Sequence, residues 1–356
     1  MSVRNGLVVL SLVLSILIGV TLSRSNRAGG EARGAGKGTV IGLSMDTLKE
    51  ARWQKDRDLF VSRAEELGAT VLVQSANSDD TRQIQDVKSL LANDVDVLVL
   101  IPHDGVAMAE GVRLAHQAGV PVIAYDRMIR DCDLDLYLSF DNVRVGEMQA
   151  RFLLDRLGGK GKIVRIYGAP TDNNARLFKE GQDNVLEPLI ARGDVEVIHE
   201  DWATDWSPAE AKKIMNAAIT SQGATFDAVL ASNDGTAGGA IQSLKEAQLA
   251  GKVIVTGQDA DLVACQRIMA GTQAMTVYKP VERLARRAAE LAVDLAEGRP
   301  VVANGAVDNG KIEVPSVLLD VIAVTRDNLM DTVVADGFHS AEEVTGSRQT
   351  GAEAAP

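Results

Sequence analysis

Polar and charged side chains follow eight apolar runs of this 356-residue chain, directly where each run ends. Asp, Asn, Arg, Lys and Trp recur in nearly all of these stretches. Carboxylates and amides accept bonds from hydroxyls, Arg and Lys donate to them, and an indole covers the C–H face of a sugar ring. The pattern therefore predicts a site for a polyhydroxylated molecule. The stretches are DTLKEARW (46–53), IPHDG (101–105), AYDRMI (124–129), GAPTDNNARLF (168–178), DWATDWSP (201–208), ASNDGTAGG (231–239), GQDADL (257–262) and VYKP (277–280).

The charges in these stretches are roughly balanced, since the acidic Asp126 and Asp259 are accompanied by the basic Arg52, Arg127 and Lys279. A charged ligand would require an excess of one sign, so the balance favours a neutral one. Each residue alone has an ordinary structural explanation: an Asp after a strand commonly caps a helix, an Arg commonly forms a surface pair, and a lone Trp commonly packs in a core. Repetition at eight strand ends favours binding over those explanations.

The elements that would position these side chains alternate between strand and helix. The apolar runs TVIGLSM, ATVLVQSA, VDVLVLIP and VPVIAYD are separated by amphipathic segments at 53–67, 80–93 and 104–118, and a second series of the same kind starts near residue 143. Continuous apolar strands alternating with helices indicate parallel sheets buried on both faces. The sequence therefore predicts an α/β fold of two similar doubly wound lobes, with a ligand site in the crevice between them.

The first predicted strand-to-helix turn carries Arg52 and Trp53. In a nucleotide-binding α/β protein, the same turn carries glycines that let a pyrophosphate approach the backbone. The run GTAGGA (235–240) also lacks the Lys-Ser/Thr of a phosphate loop. Nothing in the sequence thus indicates a nucleotide cofactor. Trp53 is expected to pack, with a place in the wall of the ligand pocket as the alternative.

Catalytic and metal-binding signatures are missing from the sequence. The four histidines, His103, His116, His199 and His339, show no metal-ligand spacing, and no G-x-S-x-G, C-x-x-C or Walker motif occurs. Cys132 and Cys265 lie far apart and are expected to be unpaired. We therefore predict a protein that is not an enzyme and that has neither cofactor nor metal.

The net charge and the terminal segments indicate which partners and which location are expected. A formal charge of −12 argues against nucleic acid and against an anionic lipid surface. Residues 7–23 are uncharged and almost wholly apolar, which is typical of an export signal, with an uncleaved membrane anchor as the alternative. Membrane contact is expected only through this N-terminal segment or a membrane partner. Residues 339–356 have little apolar content and are predicted to be a disordered tail.

Several motifs together resemble the ribose-binding-like group of type I periplasmic sugar-binding proteins, over residues 39–338. They include RWQKDRDLF, VQSANSDD, SFDNVRVGEMQA, DNNARLFKEGQ and GTQAMTVYKP, and among members of the group they are most like the D-xylose receptors. The resemblance implies two lobes joined by a three-segment hinge. It assigns 38–142 and 279–315 to the N-terminal lobe, and 143–278 and 316–338 to the C-terminal lobe. Outside the resemblance lie residues 1–37, predicted to be a signal peptide or anchor with a linker, and the predicted tail at 339–356.

The resemblance also implies which residues bind the sugar, by motif: Arg52, Asp126, Arg127, Asn174, Trp206, Asn233, Asp259 and Lys279. Weaker candidates behind these are His103, Asp172, Arg176 and Gln258. On this interpretation the first turn carries Arg52 instead of a glycine because a side chain, and not backbone N–H groups, reaches the ligand.

The implied function is binding of D-xylose or a related monosaccharide outside the cytoplasm and delivery to the permease subunits of an ABC importer. The alternative is a sugar-sensing co-receptor for a membrane chemoreceptor or sensor kinase, and neighbouring genes for an ATPase and permease would discriminate the two. A sugar-responsive repressor would need an N-terminal helix-turn-helix, whose place is taken by the apolar residues 7–23.

Overall fold

The structure is a computed structural model that describes residues 38–223 and 225–346. Apolar, β-branched runs form the strands, which are buried on both faces in the middle of each sheet. The strands in the described part of the chain are β1 (Val40–Met45), β2 (Thr70–Ser75), β3 (Val97–Leu100), β4 (Val122–Tyr125), β5 (Leu136–Phe140), β6 (Gly161–Tyr167), β7 (Val195–Trp202), β8 (Ala228–Ala231), β9 (Ile254–Val255), β10 (Thr276–Tyr278), β11 (Gly305–Asp308), β12 (Glu313–Leu319) and β13 (Ile322–Val324).

Helices connect most of these strands. Within the described residues they are α1 (Ala51–Glu66), α2 (Asp80–Ala92), α3 (Ala109–Gln117), α4 (Asn142–Leu157), α5 (Asn173–Ala191), α6 (Pro208–Gln222), α7 (Asp234–Glu246), α8 (Leu262–Met269), α9 (Val281–Ala296) and α10 (Ala341–Thr345). A short 3₁₀ turn (Thr204–Trp206) precedes α6, and a π-helical turn (Met330–Val334) precedes α10.

The first sheet has seven strands in the order β11-β12-β5-β4-β3-β1-β2. All neighbouring pairs are parallel except β11 with β12. The strand order reverses between β1 and β3, and in such sheets ligands bind at this switch point, outside the carboxyl ends of the strands. The β1–α1 turn, with Arg52, therefore lies at the expected place for a ligand.

The second sheet has four parallel strands in the order β7-β6-β8-β9, and β10 pairs with β13 in a separate two-stranded ribbon. The order around β6 repeats the winding around β1, which confirms the prediction of two similar doubly wound lobes. The second lobe has its own core, built from α6 and α7 against β6 and β8.

Over the residues that the structure describes, the chain passes between the two lobes three times: after β5, after β10, and between β12 and β13. The third passage lies beyond the predicted boundary at residue 315, because β12 stays paired with β5 as far as Leu319. Sequence alone places this boundary poorly because β12 and β13 follow each other with only a short connection.

The C-terminal segment differs from its prediction. Residues 341–345 form α10, whose N-terminus is closed by a capping box between Ser340 and Glu343. Val344 is buried against the second lobe, with Cys265 and Tyr278 in the same cluster. Residues 339–346 are therefore ordered, because one buried Val and one capping box hold a short helix that the low apolar content of the segment did not indicate.

Two further predictions concern the cysteines and the N-terminus. Cys132 and Cys265 are both buried and unpaired, as predicted. The apolar run at residues 7–23 lies outside the described residues. Among the helices that the structure does describe, none is long and apolar enough to cross a membrane.

Candidate functional site

A cavity of about 260 Å³ lies where the carboxyl ends of the two sheets face each other. All eight residues predicted to bind the sugar line it, together with two of the four weaker candidates, Asp172 and Gln258. The strand ends converge here because parallel strands of one sheet end at the same edge. The lining residues are Lys49, Glu50, Arg52, Trp53, Asp126, Arg127, Asp172, Asn174, Phe178, Trp206, Pro208, Asn233, Gly235, Gln258, Asp259, Asp261 and Lys279.

Arg52 lies in the first turn of α1 and contacts three carboxylates. Its Nε lies 3.2 Å from Oδ2 of Asp56, one helical turn along, and its Nη1 lies 3.2 Å from Oδ1 of Asp259. Its Nη2 bonds Oδ2 of Asp126. Burial alone would lower the pKa of Arg52, but the three carboxylates outweigh it and hold that pKa well above its ordinary value. Arg52 is therefore a permanently charged donor in a fixed orientation.

Asp126 follows β4 in a left-handed backbone conformation, with φ +63°. Its carbonyl oxygen accepts from the hydroxyls of Ser139 (2.6 Å) and Tyr137 (3.0 Å), and Asn174 Nδ2 donates to its Oδ1 (3.0 Å). Burial raises the pKa of Asp126, and the attraction of Arg52 and other cations outweighs burial, so that pKa lies below its ordinary value. Asp126 is thus an ionised acceptor at the floor of the cavity.

Asp259 follows β9 and has φ +98°, a conformation that is rare for residues other than glycine. Its backbone N–H donates to the carbonyl of Val277 (2.8 Å). Helix α8 begins later, at Leu262, with Asp261 at the N-cap position. Asp259 therefore does not cap α8, and its carboxylate, 15% exposed, opens onto the cavity beside Arg52.

A second arginine contacts both lobes. Nη1 of Arg127 lies 2.7 Å from Oδ2 of Asp46, and its Nε lies 2.9 Å from Oδ2 of Asp172. The ring of Trp53 lies under both guanidinium groups, with the ring centroid 4.4 Å from Cζ of Arg52 and 5.2 Å from Cζ of Arg127. Trp53 is 5% exposed and belongs to the core of the first lobe, as predicted, and it also lines the cavity.

Trp206 enters the cavity from the turn before α6. Asp205 and Trp206 both have positive φ values, +52° and +56°. The indole Nε1 donates to Oδ2 of Asp172 (3.1 Å), and the ring lies so close to Gly168 that a Cβ there would overlap it. Backbone strain of this kind persists only where the surroundings hold it, and it is common at ligand sites. These contacts hold the indole in one orientation at the cavity wall.

Asn174 and Asn233 line the cavity and also have structural roles. Oδ1 of Asn174 accepts a hydrogen bond from Nδ2 of Asn142 (2.9 Å), in addition to the bond that Asn174 donates to Asp126. Asn233 caps α7, with Oδ1 accepting from the N–H of Thr236 (2.8 Å) in a capping box. Both side chains therefore hold neighbouring groups in place at the cavity wall.

Lys279 and Gln258 bring further polar groups to the cavity. Nζ of Lys279 lies 5.0 Å from the ring of Phe178 and 5.6 Å from that of Phe140, and burial lowers its pKa despite nearby carboxylates. Gln258 is 2% exposed, and its buried Oε1 has no hydrogen-bond partner within the described part of the chain. That oxygen is an acceptor available to a ligand hydroxyl.

Two of the weaker candidates do not line the cavity. His103 lies beside its mouth, where Nδ1 is 3.0 Å from Oδ1 of Asp46. Arg176 is exposed on α5, donates to the carbonyl of Pro170 (3.0 Å) and lies over the ring of Trp202. Its side chain turns to solvent because its position on α5 faces away from the buried Asn174 and Ala175.

Sequence reasoning missed two carboxylates that anchor the arginines, Asp46 and Asp56. Asp56 is 1% exposed, and the hydroxyl of Tyr125 donates to it. The i, i+4 spacing of Arg52 and Asp56 on one helix was a signal that could have identified this pair. Asp46 directly follows β1, just as Asp126 directly follows β4.

The cavity combines donors and acceptors without a dominant charge. It is lined by four cationic and five acidic side chains, and burial with the neighbouring Asp259 raises the pKa of Asp261 to about 6. Fixed hydrogen-bonding groups around a small cavity, with an indole at one wall, can bind a neutral polyhydroxylated molecule. Among the described residues that line the cavity, no serine, threonine or cysteine stands beside a base.

Two doubly wound parallel sheets with a polar cavity between their carboxyl ends define a type I periplasmic binding protein. The chain belongs to this family, since a profile described as "periplasmic binding protein domain" matches residues 41–300.

Known proteins resemble this chain in sequence, and solved structures resemble it in fold. The chain is 48% identical over 308 residues to a D-xylose-binding periplasmic protein of Haemophilus influenzae, covering 86% of this chain and 92% of that protein. It is 49% identical over 308 residues to its counterpart in Escherichia coli, covering 86% and 93%. A solute-binding protein of a carbohydrate transporter from Chloroflexus aurantiacus, solved with D-glucose, superposes with a TM-score of 0.80 at 34% identity, covering 85% of this chain and 97% of that one.

Proposed function

We propose that this protein binds D-xylose, or a closely related monosaccharide, in the cavity between its lobes and delivers it to the permease subunits of an ABC importer. The observation that carries the proposal is the cavity itself, in which Arg52, Asp126, Asp259 and Lys279 surround a space beside Trp206. The two relatives at 48% and 49% identity, both D-xylose-binding periplasmic proteins, support xylose as the ligand.

The hydrogen-bonding chemistry matches a neutral sugar. The carboxylates of Asp126 and Asp259 each bond one nitrogen of Arg52 and keep lone pairs for a ligand. A carboxylate can accept from two neighbouring hydroxyls, while guanidinium and ammonium groups donate to ring and hydroxyl oxygens. Since these ionised groups already neutralise one another, a neutral ligand adds hydrogen bonds without leaving a buried charge unpaired.

The arginines also connect ligand binding to lobe closure. Arg52 and Arg127 are anchored by first-lobe carboxylates, and each pairs with a second-lobe carboxylate, Asp259 or Asp172. Opening of the cleft about the three connecting segments would separate both pairs. A sugar that bonds groups from both lobes favours the closed arrangement by its differential affinity, which is the hinge mechanism of such binding proteins.

We place this function outside the cytoplasm, because the relatives are periplasmic and residues 7–23 are typical of an export signal. Delivery to a permease predicts that deletion of the gene abolishes uptake of labelled xylose at micromolar concentrations. Normal uptake in the deletion strain, with loss of a chemotactic or transcriptional response to xylose, would instead assign the protein to sensing.

Binding is tested by thermal unfolding of the purified protein with a panel of pentoses and hexoses. A ligand bound only by the folded state stabilises it by about 2.7 kcal/mol at a hundredfold excess over its dissociation constant. We expect a concentration-dependent rise in melting temperature with xylose. No response to xylose together with a clear response to another sugar would overturn the ligand assignment.

A further inference from the structure

We infer that Asp234 is a positioning residue for the sugar site. It holds the loop of residues 257–261, which carries Gln258 and Asp259, in the conformation that turns Asp259 toward the cavity. This inference rests on the proposed binding of a monosaccharide there. Asp234 itself is 1% exposed and is not among the residues that line the cavity.

The carboxylate of Asp234 bonds the loop and the strand beside it. Its Oδ2 accepts from the backbone N–H of Asp261 (2.9 Å) and from the hydroxyl of Thr276 (2.9 Å). Its Oδ1 accepts from Nε2 of Gln273 (2.7 Å). The backbone N–H of Asp234 donates to the carbonyl of Gln258 (2.9 Å). Asp234 therefore contacts the loop on both sides of Asp259.

The loop is strained at the residues that Asp234 brackets. Asp259 and Ala260 have φ values of +98° and +53°. Side-chain-bearing residues rarely adopt such values and keep them only where surrounding bonds hold them. The N–H of Ala260 donates to Oγ1 of Thr276 (3.1 Å), whose hydroxyl donates in turn to Asp234. Through Thr276, Asp234 therefore also restrains the backbone of Ala260, the second residue with a positive φ.

Packing around the carboxylate leaves the loop little freedom. A Cβ at Gly257 would overlap both the carboxylate of Asp234 and the amide of Gln273. The orientation of that amide is fixed, because its Oε1 accepts from Nε of Arg267 (2.9 Å) while its Nε2 also donates to the carbonyl of Met275 (3.1 Å). The loop thus approaches Asp234 through the one residue that has no side chain.

Helix capping does not account for Asp234. Asn233 already caps α7, and the three side-chain hydrogen bonds of Asp234 go to residues outside α7. Replacement by Asn would put an NH₂ group where the carboxylate has an acceptor. This NH₂ group would then meet another donor, either the backbone N–H of Asp261 or Nε2 of Gln273. Neither can become an acceptor, because the first is a backbone group and the amide of Gln273 is held by two other bonds.

The test compares Asp234→Asn with a matched control on the same helix, Ser243→Ala. Ser243 is 1% exposed and donates to the carbonyl of Lys212 (3.1 Å), so its replacement also removes a partly buried hydrogen bond made by α7, in this case to α6 and away from the loop. For Asp234→Asn we expect the dissociation constant for xylose to rise at least tenfold. For Ser243→Ala we expect the dissociation constant to change less than twofold, even if the melting temperature of this variant falls as much as that of Asp234→Asn.

A measurement without sugar separates this inference from the proposed function. Amide hydrogen exchange in the sugar-free protein should accelerate at least tenfold at Ala260 and Asp261 in Asp234→Asn, and not in Ser243→Ala. If Asp234→Asn does not fold, Thr276→Val, which removes only the intermediate hydroxyl, should accelerate the exchange of Ala260 and weaken binding.

Unchanged exchange at both amides, or unchanged xylose affinity in Asp234→Asn, would overturn the role of Asp234. If the wild-type protein bound no monosaccharide at all, the proposed function would fail, while the exchange data would still decide whether Asp234 holds the loop.

Discussion

Replacement of Trp206 by Ala should weaken sugar binding, because the indole forms one wall of the cavity. The chain contains a matched control four residues earlier. Trp202 is half-buried like Trp206 but packs on the ring of Tyr167, with centroids 4.8 Å apart, and does not line the cavity. The two substitutions remove the same number of atoms, one at the end of β7 and the other in the turn that follows it.

The size of the effect follows from the area that the indole offers. Aromatic side chains bury about 150–250 Å² when fully covered. A sugar that covers one face of the ring would remove about 80 Å² of it from water, which at about 25 cal/mol per Å² contributes about 2 kcal/mol. We therefore expect a loss of about 1–3 kcal/mol, which is about a 5- to 150-fold rise in the dissociation constant.

Isothermal titration calorimetry with xylose measures this loss, and a third variant separates stacking from hydrogen bonding. Trp206→Phe keeps an aromatic face but loses the bond from Nε1 to Asp172. It should therefore lose less affinity than Trp206→Ala, and Trp202→Ala should lose less than twofold. Thermal unfolding without sugar shows how far each variant affects the fold itself.

Equal losses of affinity in Trp206→Ala and Trp202→Ala would refute the assignment of the indole at the cavity wall. So would normal affinity in Trp206→Ala, provided that its melting temperature without sugar shows a folded protein.

Three further predictions concern the polar groups and the close contacts of the site. Asp259→Asn should raise the dissociation constant for xylose about tenfold or more, because it removes charge-assisted bonds of about 1.5–3 kcal/mol each. Gly168→Ala should weaken binding similarly, since the added Cβ displaces the ring of Trp206. The bond to Asp46 raises the pKa of His103 above its ordinary value of 6.5. The protonated His103 should therefore contribute its full stabilisation at pH values below the ordinary pKa of 6.5. This contribution should be lost as the pH rises through the higher pKa of the folded state.

Each of these predictions has its own control. Asp327→Asn neutralises an exposed carboxylate away from the cavity and should leave xylose affinity unchanged. Gly305→Ala adds a Cβ that meets no neighbour within 4 Å, so any loss of affinity there would count against the reasoning for Gly168. For His103, denaturant unfolding of the wild-type protein is compared with that of His103→Gln across pH 5 to 9, which runs from roughly 1.5 units below the ordinary histidine pKa to roughly 2.5 units above it. A stability difference that did not shrink as the pH rose would contradict the pairing.

Much of the fold could be predicted from local pattern alone. Runs such as VDVLVLIP are continuous and apolar because strands of a parallel sheet are buried on both faces. Helix starts could be predicted in the same way, since Asp79 and Asp141 accept from backbone N–H groups at the N-termini of α2 and α4. Periodicity and capping involve residues a few positions apart, so the sequence carries them directly.

The location of the site could also be predicted, because parallel strands present their carboxyl ends at one edge of a sheet. This rule brings Arg52 and Asp126 to one edge of the first sheet. Asp259, 207 residues from Arg52, follows a strand of the second sheet and meets them only because the two sheets face each other. The rule also does not say where a side chain points. Arg176, in the same stretch as Asn174, turns to solvent, while Asn174 is buried against Asp126.

The sequence by itself thus determined the class of fold, the stretches that form the site and the neutral balance of its charges. Only the tertiary structure decided which side chains of the site form hydrogen bonds and ion pairs with one another. It showed that Asp46 anchors Arg127, that Asp172 orients the indole of Trp206, and that Asp259 stands at a strained φ instead of capping α8. The physical reason is that these bonds join residues from different strands and helices. Their partners are set by how the sheets and helices pack against each other, which no local pattern records.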